Sequence, residues 1–573
     1  MEYQALLSIN IQPLSTRAWL FDNQNGQFGI LAGVSQATEM ESAQAGEDLD
    51  SRVVALLQRL ELESGHKLLD TERNLILRPY DEAQGVRKAA LTLGIGRPLR
   101  TVLLAVSPTY SLDALRRLSG MLGLEVVLEL SSQDDLNATA QLMALLQTDA
   151  DLFLIAGGTN DGASRPLRAA IENLRILCST QPRVVHPQVV FLGNEALGLF
   201  AAKELDIGAN FHIGPNIQPE IDREDLLAGW QALSGAYQRL MQAQLPGLAA
   251  LEKRLGVKTL PAQMAGARIL RLIEAINPAG KGVLNLDLGS EEISLAAARH
   301  GHYMGLKLPG RPKTEFARDL VKQSALAVEQ NEAALYMLDQ IVHPGLKPAT
   351  VQDMALDLAW QRLRIMQALQ AAATAIPDFE YQAREGLVGA YEPIILSGES
   401  LDGIPSQAET MLMALDGIRP HGITTIVLDQ EGLLYALGGL AAEEPMLAAQ
   451  MLDAGIFENL GTVVNVTGAA FPGRSLLKLE VDQGEGHLRE QIEVKPGALR
   501  RIEISPEAPG RLYLAPQSQA DVGMGQPGLG GWLRVSGGNL GVIVDARGRP
   551  LRLPGDARAI TEKRQEWLWE LGA

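Results

Sequence analysis

The stretch Val283-Leu-Asn-Leu-Asp-Leu-Gly-Ser290, followed by Glu291-Glu-Ile-Ser-Leu-Ala-Ala-Ala298, decides the reading of the chain. It predicts a buried strand, a tight glycine turn preceded by an acid, and a second strand. That is the layout of a phosphate-binding β-hairpin: Asp287 can position a metal-bound water, and Gly289 lets the backbone approach an oxyanion. A second stretch near the N-terminus, Leu6-Leu-Ser-Ile-Asn-Ile-Gln-Pro-Leu-Ser-Thr-Arg-Ala-Trp-Leu-Phe-Asp22, has the same layout. Its chemistry differs, because Asn10 stands at the place of Asp287, and Gln12-Pro13 at the place of Gly289-Ser290.

Each hairpin opens a longer alternation. After the first, strands are expected at Phe28–Ala32, Asn74–Leu77, Thr101–Val106, Glu125–Leu130, Asp151–Ala156 and Val189–Leu192, with helices interleaved. After the second, a helix at Glu315–Val342 and another at Val351–Ala373 precede strands at Pro393–Leu396 and Thr424–Leu428. Two halves that begin alike suggest an internal duplication at a spacing of roughly 275 residues. From about residue 455, short β segments between glycine and proline turns predict a separate β-sandwich or barrel. The tail, with Trp567 and Trp569, predicts an amphipathic helix that docks on the parent protein.

The chain has 573 residues, 46% hydrophobic and 21% charged, with a net charge of −18. It is too long for one core. The acidic balance argues against nucleic-acid and anionic-membrane binding, which need basic surfaces. No apolar run long enough for a membrane span appears. A single cysteine, Cys178, allows no internal disulfide and is expected to be an inert core thiol in a reducing, cytoplasmic setting.

Several stretches together resemble the glutamate mutase L family (MutL/GlmL). They are Ala156-Gly-Gly-Thr-Asn-Asp-Gly162, Val189-Val-Phe-Leu-Gly-Asn194, Glu392-Pro-Ile-Ile-Leu-Ser-Gly-Glu-Ser400, the Leu437-Gly-Gly-Leu440 region, and Gly537 to Pro550 near the end. The resemblance implies an α/β fold of the actin, sugar-kinase and heat-shock chaperone superfamily: two RNase H-like actin-type domains facing a cleft that takes ATP. To these the chain adds a small all-β domain and a terminal helix. The expected division is 1–278 and 279–454 for the actin-type domains, 455–556 for the β domain and 557–573 for the helix.

If the nucleotide site is retained, the resemblance carries it onto Asn10, Ser15 and Thr16, onto Gly157, Gly158 and Thr159, onto Asp287, Gly289 and Ser290, and onto Ser397 and Gly398. Asp287 would hold Mg²⁺ through water. Every loop departs from the family pattern. Pro13 removes an N–H that could cradle phosphate, and Gln12 adds a side chain where glycine would let phosphate approach. Glu291 and Glu292, expected exposed, would repel a triphosphate by ~4 kcal/mol per close contact before screening. Glu399 replaces a glycine. The expectation is a degenerate member, with ATPase activity lost or weak, acting as a scaffold or assembly protein through a protein partner or self-association. Two alternatives are an ATP-binding reactivating chaperone for a cobalamin-dependent mutase and an actin-like filament former. ATP and Mg²⁺ are possible cofactors; no catalytic residue is assigned. His300 and His302, Asp161, the Lys307 and Arg311-Pro-Lys313 cluster, and Asp545 to Arg549 are expected to be ordinary turns or solvated and paired charges.

Overall fold

A computed structural model of the chain describes residues 5–38, 48–77, 84–134, 136–160, 162, 164–180, 187–205, 210–277, 280–309, 316–324, 326, 328–376, 379–468, 474–482, 490–505, 509–551 and 557–573. Asp161 and Arg311 to Lys313 lie outside the described residues. The chain forms two compact units, Met1–Gln12 with Thr16–Ala265, and Pro13–Ser15 with Gly266–Ala573.

In the first unit, β1 (Leu6–Ile11), β2 (Ser15–Gln24) and β3 (Gln27–Ala37) form the opening meander. Leu6, Leu7, Ile9 and Ile11 are fully buried. Asn25 and Gly26 both take positive φ in the β2–β3 turn, the demand of a type I′ hairpin. Helix α1 (Leu49–Ser64) starts on the Asp48 carboxylate, which accepts from Ser51 N, and ends at left-handed Gly65. Strand β4 (Lys88–Leu93) then pairs in parallel with β1. The expected strand at Asn74–Leu77 is not formed; that stretch makes only isolated bridges.

A second, wholly parallel sheet follows. Its elements are β5 (Arg100–Ala105), α2 (Asp113–Leu122), β6 (Glu125–Ser131), α3 (Ala138–Gln147), β7 (Leu152–Ala156), α4 (Arg165–Thr180), β8 (Gln188–Phe191), α5 (Gly198–Leu205) and β9 (Asn210–Ile213). The order is β6-β5-β7-β8-β9, all parallel. Its strands are continuous apolar runs such as Leu-Phe-Leu-Ile-Ala in β7, because both faces are covered. After α6 (Leu226–Gln244) and α7 (Leu248–Leu255), β10 (Thr259–Pro261) returns to the first sheet beside β4, giving the order β10-β4-β1-β2-β3. Cys178, on α4, is only partly buried, where a core position was expected.

Helix α8 (Ala262–Ile276) contains the division between the units. The second unit begins with β11 (Gly282–Leu288), β12 (Glu292–Arg299) and β13 (His302–Pro309). Three helices follow: α9 (Phe316–Gln323), α10 (Gln330–Val342) and α11 (Val351–Ala375). The single helix expected over Glu315–Val342 is two, because Glu329 and Glu332 form a capping box that starts a new helix. A ribbon of β14 (Tyr381–Gln382) and β15 (Gly386–Leu387) precedes β16 (Tyr391–Ser397). Then come α12 (Gln407–Ile418), β17 (Ile423–Asp429), α13 (Leu433–Leu440) and α14 (Pro445–Asp453).

The remaining elements are β18 (Glu458–Asn465), β19 (Thr467–Gly468), β20 (Leu477–Asp482), β21 (Glu490–Val494), β22 (Leu499–Ile502), β23 (Pro509–Pro516), β24 (Ala520–Asp521), β25 (Gly531–Ser536), β26 (Val542–Asp545) and α15 (Ala557–Leu571). They do not stand apart from what precedes them, as the expected boundary at 455 would have it. Strand β18 pairs with β17, β26 with β18, and β22 with β26. The result is one eight-stranded sheet, β13-β12-β11-β16-β17-β18-β26-β22. The physical reason is that these added strands are apolar on both faces. Val463, Leu499 and Ile543 pack toward α12 and α15. Val464, Ile502, Val542 and Val544 pack toward the four-stranded sheet β21-β20-β23-β25. In α15, Trp567 is buried and Trp569 is exposed.

The first five strands of the eight, β13-β12-β11-β16-β17, repeat the order β3-β2-β1-β4-β10 of the first unit. Registers match as well: Asn10 lies opposite Arg17 and Thr92, and Asp287 opposite Ser294 and Ser397. Gly398 ends β16 with φ +104, and a Cβ there would stand 2.5 Å from Leu288 backbone atoms. Gly398→Ala is therefore expected to destabilise the second unit by on the order of 3 kcal/mol or more. Gly29→Ala, where a Cβ meets nothing, should shift stability by less than about 0.5 kcal/mol. Urea unfolding of the two variants checks this, and equal midpoints would refute it.

Candidate functional site

The first hairpin keeps its polar residues for itself. Asn10 is buried, and its Oδ1 accepts from Thr92 Oγ1 at 2.9 Å and from Gln12 Nε2 at 3.1 Å. The Gln12 side chain lies over Gly94, where a Cβ would stand 2.1 Å from Gln12 Oε1. Thr16 is buried and shares a 2.9 Å hydrogen bond with Thr38.

The hairpin tip, Pro13–Ser15, belongs to the second unit, and there it meets Glu399. The Leu14 N–H donates to both Glu399 oxygens, at 3.1 and 3.0 Å, and the Ser15 hydroxyl donates to Oε1 at 2.8 Å. An amide and a hydroxyl converging on one anionic group is the donor set a hairpin loop offers a phosphate oxygen. Here a side chain of the same protein takes it. Glu399 opens the 3₁₀ turn Glu399–Gly403, directly after Gly398. Burial pushes its carboxyl up to about 7, against the opposing pull of the Ser15 and Leu14 hydrogen bonds.

The second hairpin is pinned from behind. Arg364, buried on α11, donates Nη2 to the carbonyls of Gly289 at 2.5 Å and Glu292 at 2.8 Å. The Ser400 hydroxyl adds a bond to Gly289 O at 3.2 Å. Gly289 is needed because a Cβ would stand 2.9 Å from Glu292 O. Burial lowers the Arg364 guanidinium to about 10. The Ser290 hydroxyl has no hydrogen-bond partner among the described residues.

Asp287 accepts from the Tyr435 hydroxyl of α13. Ser397 lies beside it and donates to Asn285 Oδ1 at 3.2 Å. Burial raises the Asp287 carboxyl above its ordinary range, against the Tyr435 and Ser397 hydrogen bonds and the charges of Lys307 and Arg364. A carboxyl in that state is a weaker holder of metal-bound water than a free carboxylate. Glu291 is exposed as expected. Glu292 is not: it is partly buried and ion-paired with Lys307 of β13. Lys307 is thus spent on Glu292, and Glu292 does not present a free charge to a ligand. Among the described residues no cluster of His, Cys, Asp or Glu could hold a metal ion; His300 occupies a positive-φ turn.

Gly157, Gly158 and Thr159 lie on a different sheet from Asn10 and Thr16, at the carboxyl end of β7. Several of the loop's oxygens accept hydrogen bonds from within the chain. Asn216 Nδ2 donates to Gly158 O at 2.8 Å and Asn160 Oδ1 at 3.0 Å. A Cβ on Gly157 would stand 2.7 Å from Val106, and one on Gly193 2.8 Å from Gly157 O. The strand order β6-β5-β7-β8-β9 is the flavodoxin-like 2-1-3-4-5 arrangement, whose switch point lies between β5 and β7.

Arg364, Tyr435 and the capping Asp429 went unseen in the sequence. Asp429 accepts from Leu433 N and Leu434 N at 2.9 Å each and fixes the start of α13, which carries Tyr435. A signal for Arg364 was present: Trp360-Gln-Arg-Leu-Arg-Ile365 places two arginines in a helix apolar on every side, and buried guanidiniums need partners.

Among solved structures, the chain is similar to the PilM–PilN type IV pilus biogenesis complex, with 11% identity over 79% of this chain and 98% of that one, and a TM-score of 0.27. Similar too are the ethanolamine utilization protein EutJ from Carboxydothermus hydrogenoformans (8%, 77% and 90%, TM-score 0.26) and a nucleotide-free diol dehydratase-reactivating factor (10%, 79% and 99%, TM-score 0.26). No curated protein matches in sequence. The profile of the family described as MutL protein matches residues 6–319, more than half of the chain. The chain therefore belongs to the MutL (glutamate mutase L) family, and its fold is mixed α/β.

Proposed function

We propose that this MutL-family protein has filled its nucleotide seat from within and works by binding a protein partner, as a scaffold or assembly factor, rather than by hydrolysing ATP. The observation that carries this is Glu399, whose carboxylate takes the Leu14 N–H and the Ser15 hydroxyl. A triphosphate would have to displace a carboxylate already hydrogen-bonded there. The engagement of Asp287 by Tyr435 and the pinning of Gly289 by Arg364 support the same reading. So does the net charge of −18, which disfavours a polyanionic ligand. The residues the family resemblance marks for nucleotide then serve the fold.

Calorimetric titration with Mg-ATP tests this. The expected result is no saturable heat up to millimolar nucleotide. Saturable binding that disappears in Asp287→Ala would overturn the proposal and favour the ATP-binding reactivating chaperone.

The seat also predicts a pH dependence. The Glu399 carboxyl is raised from 4.5 to about 7, so between those values the folded protein holds a proton that the unfolded chain releases. Its contribution to stability is fully present below about pH 4.5 and is lost as pH rises through about 7. Glu399→Gln retains an acceptor for Leu14 and cannot ionise. The variant should gain in melting temperature over wild type as pH rises from 5 to about 7.5, then hold a constant lead. Parallel profiles across that window would show that Glu399 is not buried as described.

A further inference from the structure

Away from the hairpins, the second unit buries a group of charged side chains that does not balance. Asp416 on α12, Asp545 at the end of β26, Arg547 just beyond it, Arg362 on α11 and Arg564 on α15 are each at most 5% exposed. Asp545 and one oxygen of Asp416 are taken, while Asp416 Oδ2 has no hydrogen-bond partner among the described residues. Arg547 donates to Asp416 Oδ1 at 2.8 Å and to Asp545 at 3.0 Å, and Arg549 reaches Asp545 at 3.1 Å. Arg362 and Arg564 are left over. Each donates Nη1 to the same oxygen, the carbonyl of Gln323 that ends α9, at 2.7 Å. Arg362 Nε stands 3.8 Å from Asp416 Oδ2, close enough for an ion pair but beyond hydrogen-bond reach.

Two guanidiniums thus converge on one carbonyl. The Nε atoms of both and Nε1 of Trp567 are buried donors without a partner. Trp567 follows Arg564 by three residues on α15, which puts both on one face, and Arg547 stacks on its ring at 4.6 Å. The carboxyl end of α9 offers about half a negative charge, which offsets only part of the surplus. Burial, and then the Arg564 charge beside it, pull the Arg362 guanidinium down to about 9. Among the described residues two carboxylates, Asp416 and Asp545, face four guanidiniums, those of Arg362, Arg547, Arg549 and Arg564, and such an excess of positive charge out of water is costly.

We propose that this cluster, between α9, α11 and α15, is a binding site for a small oxyanion of the phosphate or sulfate class. The planar N–H fork of a guanidinium matches two oxygens of such an anion, and the indole N–H supplies a third direction. A halide carries charge but offers no pair of oxygens to the fork. The site is independent of the hairpin seat and uses none of its residues.

Thermal unfolding of the full chain in sodium phosphate, with sodium chloride at matched ionic strength as the comparison, tests it. Wild type should show a saturable rise in Tm with phosphate, half-maximal in the millimolar range or below, beyond that in chloride. Arg564→Met should abolish the rise. Arg558→Met, an exposed position on the same helix, should keep it. If Arg564→Met does not fold, Trp567→Phe removes one donor and no charge and should weaken half-saturation severalfold. Equal shifts in phosphate and chloride, or a linear rise identical in wild type and Trp567→Phe, would overturn the site.

Discussion

A carboxylate seated on a backbone amide and a hydroxyl is the interaction on which the character of this protein turns. The Leu14 N–H and Ser15 hydroxyl at the tip of the first hairpin are donors that need an acceptor. Left buried and unpaired, a polar group of this kind costs about 1–3 kcal/mol. Glu399 meets both. Burial opposes its ionisation and the hydrogen bonds favour it, and burial is the larger effect, which is why its carboxyl titrates near 7. An acid held at that balance keeps its place in either protonation state, because the carboxyl accepts from Leu14 whether or not it carries a proton.

The two halves share a sheet order and a register but have drifted in chemistry at matching positions. Asn10 and Asp287 each face a hydroxyl residue on the neighbouring parallel strand, Thr92 and Ser397. In the first half the amide is absorbed by Thr92 and Gln12. In the second the acid is absorbed by Tyr435. Asn10 is a neutral amide and is buried in the first sheet; Asp287 is ionisable and stays partly buried beside Lys307 and Arg364. Burying an ionisable group costs more than burying an amide.

Much of the fold was legible because periodicity survives in single strands. Leu152–Ala156, Val283–Leu288 and Ile394–Leu396 read as strands from their own residues. What was not legible is pairing at a distance. Lys88-Ala-Ala-Leu-Thr-Leu93 has weak alternation, and only its ladder to β1 makes it a strand. The return of β10 to the first sheet after a whole parallel sheet leaves no local mark. Turn chemistry from 455 onward suggested a separate domain, since short strands between glycines look alike in a sandwich and at a sheet's edge. At the hairpins, Glu399 was visible as a misfit in a glycine position, but its partner lies 385 residues away, and no local pattern joins Glu399 to Leu14. Arg364 and Tyr435 were hidden for the same reason.

The glycines sharpen what a retained motif means. At Gly157 an added Cβ would crowd the Val106 side chain, and at Gly193, Gly289 and Gly398 it would crowd chiefly backbone. Close packing of the chain at a strand end requires glycine by itself, whether or not a ligand approaches. Side chains whose value lay in binding are under no such constraint. Pro13, Glu291 and Glu399 are side chains of this kind, each close in sequence to one of the two hairpin tips or to Gly398. Glycine in these loops therefore reports how tightly the strand ends pack, and the identities of the neighbouring polar residues are the better guide to chemistry.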